Sequence, residues 1–137
     1  MKRLSTVKLI LCFVTLGLCM LACNSSIGLI ERNGKRYSEA SFLSLTETTT
    51  RQIEVQEGMT ALMMAYDLEV QSGTLTVKLS DPRNAVVWEK TFEAPTSESD
   101  CISIEAPSAG KWALEIAARK AGGRYRLEWG DSCPAGE

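Results

Sequence analysis

From Tyr37 onward apolar residues return at every second position, and a period of two commits the chain to strands rather than helices. Leu43 and Leu45 alternate with Ser44 and Thr46, and Ile53 and Val55 alternate with Gln52, Glu54 and Gln56. A longer row runs through Leu62, Met64, Tyr66, Leu68 and Val70, followed by Leu75, Val77 and Leu79. Val86, Trp88 and Phe92 share a face that Lys90 interrupts. Ile102 and Ile104, then Trp112, Leu114 and Ile116, then Tyr125, Leu127 and Trp129 complete eight strand candidates. Glu57-Gly58, Ser72-Gly73, Asp81-Pro82, Ala94-Pro95, Ala109-Gly110 and Gly122-Gly123 read as the turns between them. Short alternating strands at regular spacing, apolar on one face only, predict a single all-β antiparallel sandwich or barrel with two sheets around one core. The stretch Trp112 to Ala121 has helix-friendly composition, but its apolar period is also two.

The first two dozen residues follow another logic. Lys2, Arg3 and Lys8 precede an apolar run, Leu9 to Leu21, of about 13 residues. A spanning helix needs roughly 20, so a secretory signal is the reading, with a short membrane anchor as the alternative. The segment Leu21-Ala22-Cys23 resembles the lipobox of bacterial lipoproteins, with small Ala22 before the cut and Cys23 after it. Met20 stands where the family usually has Leu, and a cut before Cys19 would place bulky Leu18 at the small-residue position. The resemblance implies a signal peptide over 1–22 and a diacylglyceryl thioether on Cys23, usually with acylation of the new amino terminus. It implies a partner too, the membrane, on the extracytoplasmic side of the cell envelope. Asn24 is not the aspartate associated with inner-membrane retention, which favours the outer membrane where a cell has one. Residues 23–36 then read as a lipidated polar tether, spanning about 20 Å as coil, and 37–137 as the domain.

Loss of the signal leaves 12 basic against 17 acidic residues, a net charge near -5. That argues against nucleic acid, which needs a basic surface. The chain contains no histidine, so a Ser-His-Asp or Cys-His site and any His-ligated zinc are excluded. Cys12 and Cys19 lie in the signal and Cys23 takes the lipid, leaving Cys101 and Cys133 as an even pair. In an oxidising compartment a disulfide is the natural reading, closing a loop of about 33 residues with a contribution around 3 to 4 kcal/mol. Two free thiols or a redox pair are the alternatives, the latter without C-x-x-C spacing.

Two stretches carry a second resemblance. One is Gly73 to Pro82 with Val86-Val87-Trp88; the other is Ala106 to Ile116 with Gly123 to Leu127. They are similar to the jelly-roll modules beside secreted proteases, of the bacterial pre-peptidase C-terminal and proprotein-convertase P-domain types. The resemblance implies a jelly-roll sandwich that assists folding or binds surfaces and glycans, and carries no catalytic residues.

Candidate sites are few. Trp88, Trp112 and Trp129 would make an aromatic platform for sugar rings, but each alternates in register with aliphatic residues, which favours the core. Tyr37, Phe42 and Phe92 are less constrained, and an exposed one would mark a binding edge. Glu98, Asp100 and Asp131 come together if the two cysteines bond, which raises calcium, although solvated loop charges are the simpler reading. Thr46 to Thr50, with Glu47 among them, read as a solvated edge or loop. Arg119, Lys120, Arg124 and Arg126 form a basic cluster that would suit anionic lipid or envelope polymer, or serve as a polar hairpin tip. Met59, Met63 and Met64 read as packing residues. The expectation is therefore a non-enzymatic envelope module with no catalytic residues, no metal and no cofactor beyond the lipid. Its main reading is an envelope protein partner, and its alternative is carbohydrate or cell-wall binding. An exposed apolar strand edge would favour the first, and clustered exposed aromatics the second.

Overall fold

The computed structural model describes residues 25–134. The expected signal helix, Ala22 and Cys23 lie outside the described residues. Among the described residues every regular element is a strand: β1 (Ser25–Ile27), β2 (Ile30–Asn33), β3 (Tyr37–Val55), β4 (Ala61–Ser80), β5 (Val86–Glu93), β6 (Thr96–Glu105) and β7 (Gly110–Gly130). All pairings are antiparallel, and β7 lies between β3 and β4 along its whole length.

β3, β4 and β7 are each about twice as long as the candidates read from the sequence, because each runs through both layers of a sandwich. At mid-length the sheet folds over on itself. One layer is β2, the first half of β3, the second half of β7, the first half of β4, and β6. The other is the second half of β3, the first half of β7, the second half of β4, and β5. Counted by half, these long strands with β5 and β6 reproduce the eight candidates in order, four to a layer, which is the plan of a jelly roll. The fold class is thus an all-β antiparallel sandwich, as the alternation predicts.

Register explains how the strands turn the corner. Between Phe42 and Leu45, β3 uses three steps where β7 uses two; β4 gains a residue between Val70 and Ser72, and β7 gains one between Ala118 and Ala121. Each strand therefore carries one bulge at the corner, and a bulge bends a strand while reversing which parity faces inward. The buried residues obey that reversal. They run Ala40, Phe42 and then Leu45, Ile53, Val55 in β3; Leu68, Val70 and then Leu75, Val77 in β4; Ile116, Ala118 and then Ala121, Tyr125 in β7. Ser72-Gly73 and Gly122-Gly123, expected as turns that end strands, are the bends instead. Their glycines permit a close approach: a Cβ on Gly73 would lie 2.3 Å from the Arg119 carbonyl oxygen, and one on Gly123 1.9 Å from that of Glu69.

Aromatic rings join the layers. The Tyr66 ring of one layer lies 5.5 Å from Phe92 and 5.8 Å from Trp88 of the other. Trp112 is buried, and its indole N–H donates to the Ser108 carbonyl at 2.8 Å. Residues 25–33, read as part of a tether, pair with β3 as two short strands, because the neighbouring side of β3 is otherwise an open edge.

Candidate functional site

Because the long strands reverse at the corner, their beginnings and ends meet at the opposite, open end of the sandwich. The β2–β3 turn (34–36), the end of β3, the β3–β4 turn (56–60) and the end of β7 surround a cleft of about 910 Å³ there. Ile53, Leu62, Met59 and Trp129 supply its apolar floor, and Lys35, Arg36, Gln52, Glu54, Gln56, Glu57 and Asp131 its polar walls. Backbone bonds hold the walls in place: the Trp129 N–H donates to the Arg36 carbonyl at 2.9 Å, and Ala106 N–H to the Thr60 carbonyl at 2.9 Å. Chemically the cleft offers a small apolar floor ringed by hydrogen-bond donors and acceptors of both charges. The sequence marks this site poorly. Trp129 reads as core, Glu57 as a turn and Asp131 as a calcium candidate, while Arg36, Gln52 and Gln56 carry no motif.

Each lateral edge of the sandwich is tied by an ion pair between layers. At one edge Lys90 of β5 pairs with Glu98 of β6 and donates to the Tyr66 hydroxyl at 3.2 Å. Its ammonium sits 5.3 Å from the Phe92 ring centre and 5.6 Å from that of Tyr66. The Lys90 bond first, and the Tyr66 hydroxyl second, hold the Glu98 carboxyl below its ordinary value. Burial first, and the Glu98 bond second, push the Tyr66 phenol up. At the other edge Arg51 of β3 pairs with Glu31 of β2.

The remaining candidates distribute as follows. Trp112 and Trp129 are buried and Trp88 is partly buried against the core, so the three make no platform. Phe42 and Phe92 are core residues, and Tyr37 alone of the less constrained aromatics is exposed. Cys101 and Cys133 are bonded, with Cα atoms 6.2 Å apart. The bond does not gather the three carboxylates: Glu98 serves Lys90, Asp100 accepts from the Cys101 N–H at 2.8 Å, and Asp131 lines the cleft. Among the described residues no group of three acidic or cysteine side chains is placed to hold a metal. The basic cluster divides. Arg124 pairs with Asp67 and Glu69, and Arg126 with Glu128 and Glu39, on the outer face of one layer. Arg119 and Lys120 are exposed at the corner. Thr46 accepts a bond from the Lys120 N–H at 3.0 Å, and Thr48 to Thr50 lie on the edge of β3. Met64 is fully buried and Met59 half-buried.

No protein-family model and no curated protein matches the chain in sequence. Among solved structures, the enzymatically active domain of bacteriophage CBA120 tailspike protein 4 is similar over 79% of this chain and 18% of that chain, at 12% identity and a TM-score of 0.49. The chain thus spans less than a fifth of that solved domain's length. A carbohydrate binding module from Cellvibrio mixtus lichenase 5A, in complex with cellotriose, is similar over 79% of this chain and 86% of that chain, at 16% identity and a TM-score of 0.40. CsCBM6-3 from Clostridium stercorarium, in complex with cellobiose, covers 79% and 85% respectively, at 17% identity and a TM-score of 0.39. Likenesses at this level assign neither a ligand nor a residue role.

Proposed function

We propose that this chain is a non-catalytic extracytoplasmic module, anchored through lipid on Cys23, that binds carbohydrate in the open-end cleft. One observation carries the reading: a cleft of about 910 Å³ with an apolar floor and walls of arginine, glutamine and carboxylate side chains. Its size falls within the roughly 300–1,000 Å³ of small-ligand sites. A sugar ring presents apolar C–H faces and a rim of hydroxyls in pairs. Met59, with the small exposed rim of the mostly buried Trp129, suits the faces, and planar side chains such as Arg36, Gln52 and Gln56 suit the hydroxyl pairs. The sheet faces offer no exposed aromatic platform among the described residues, so recognition falls to the cleft.

Calorimetric titration with cell-wall and plant-polysaccharide oligosaccharides tests this. Saturable binding is expected, weakened about tenfold by Arg36→Ala or Gln56→Ala, the loss of one hydrogen bond to a charged or buried group. Failure of every oligosaccharide to bind would end the reading. The second reading is a protein partner. It is favoured by Val86 and Val87, which are 53% and 42% exposed on edge strand β5, where an extended segment could add to the sheet. Crosslinking on isolated membranes that captures one envelope protein, lost on Val86→Lys, would select it.

A further inference from the structure

The corner opposite the cleft has a surface that the carbohydrate reading does not use. Ile27, Ile30 and Leu43 are 62%, 65% and 76% exposed. They surround Gly28: Ile27 precedes it, Ile30 follows two residues later, and the Leu43 side chain lies over it, so that a Cβ on Gly28 would come within 2.9 Å of Leu43 Cγ. Three large aliphatic side chains gathered in water form a patch that calls for a partner.

Two observations indicate what covers it. The first is where the chain enters. Ser25 pairs with Thr46 at this corner, and Cys23 stands only two residues before Ser25. Two residues span at most about 7 Å, so an acylated Cys23 brings the bilayer surface to the patch. The second is charge. Thr46 accepts the Lys120 N–H, so Ser25, Thr46 and Lys120 lie on three successive strands, about 5 Å apart each. Lys120 and its neighbour Arg119 are exposed and enter no ion pair among the described residues, whereas Arg124 is taken up by Asp67 and Glu69. Apolar side chains beside free cations suit the headgroup boundary of an anionic leaflet.

We infer that the Ile27–Ile30–Leu43 corner, flanked by Arg119 and Lys120, docks the domain on the lipid bilayer. This inference rests on the lipid anchor at Cys23. Docking at the corner turns the cleft outward, because the fold-over places the two at opposite ends of the sandwich.

The test uses the full chain, lipidated in a bacterial host and reconstituted on vesicles of phosphatidylcholine and phosphatidylglycerol. A photoactivated carbene probe dissolved in the acyl region reports contact, and peptide mass spectrometry reads both the labelling and the mass of the Cys23 peptide. Peptides covering 25–33 and 41–46 should be labelled at least about tenfold more than those covering 52–60, the factor that burial of one aliphatic side chain supplies. The double variant Ile27→Asp, Leu43→Asp should lose that excess while keeping the lipid mass and co-sedimenting with vesicles. Its near-ultraviolet circular dichroism should match the parent, since both positions are outside the core. Equal labelling of corner and cleft peptides in a lipidated chain would overturn the docking alone. A Cys23 peptide without lipid would overturn the anchor, and the docking with it.

Discussion

Lys90 interrupts the apolar face of β5 in the sequence, and in the fold it is the cation that joins β5 to β6 across the gap between layers. Its ammonium sits over the Tyr66 and Phe92 rings and bonds Glu98. The sign of the pH dependence follows. Glu98 titrates below its ordinary value when folded, so its contribution is fully present above the ordinary carboxylate pKa of about 4.3 and is lost as pH falls through the lower folded value. Lys90 is raised, first by the Glu98 bond, so its share persists up to the ordinary lysine range and is lost only as pH rises beyond it. Glu98→Gln should therefore lower the melting temperature at pH 7 and flatten its decline below pH 5 (thermal scans across pH would show both). Asp81, almost wholly buried, accepts the Arg83 and Ala85 N–H groups through one carboxylate oxygen at 2.8 and 2.9 Å. Asp81→Ala should lower the melting temperature and Asp81→Asn much less, because the amide oxygen can accept both bonds. Asp81 was legible as a turn residue, since Asp81-Pro82 marks a turn and its partners lie two and four residues on. The Lys90 partnership was not: an exception to the pattern is visible in the sequence, but its partner lies on another strand in the other layer.

At the level of elements, the alternation was legible and the connections were misread for a physical reason. Ser-Gly and Gly-Gly mark points where the chain needs freedom, and the same freedom serves a hairpin turn or a sharp bend. What distinguishes the two is parity. Core residues pass from even to odd numbers at Val70/Leu75 in β4 and at Ala118/Ala121 in β7, and a bulge accounts for that slip. Glycine substitution checks the assignment. Gly73→Ala and Gly123→Ala force a Cβ into backbone carbonyls at positive φ, and each should cost about 3 kcal/mol or more in urea unfolding. Gly58 also has a positive φ, of 85°, but its Cβ would meet nothing within 4 Å, so Gly58→Ala should cost only about 1–2 kcal/mol. Comparable losses at all three positions would contradict the bends.

For the whole molecule, the disulfide fastens the chain beyond β7 to β6, an edge strand whose backbone pairs with β4. Cys101→Ala with Cys133→Ala should lower unfolding stability by about 3 kcal/mol without changing the fold, as urea titration and circular dichroism would show. The pairing of these cysteines was legible because reading Cys12 and Cys19 as part of a signal and Cys23 as a lipid site leaves only these two. The cleft was not legible, since its walls come from three separate turns and strand ends that only the folded sheet brings together. The order of the sheet also governs when this domain can exist. β7 follows the other described strands in the chain, yet it is the neighbour that β3 and β4 share in both layers; Tyr37 finds its partner at Glu128. A chain delivered N-terminus first therefore has no sandwich to close until β7 has arrived. Under the proposed export through a narrow channel, that late completion would keep the chain threadable on one side of the membrane and let it set only on the other.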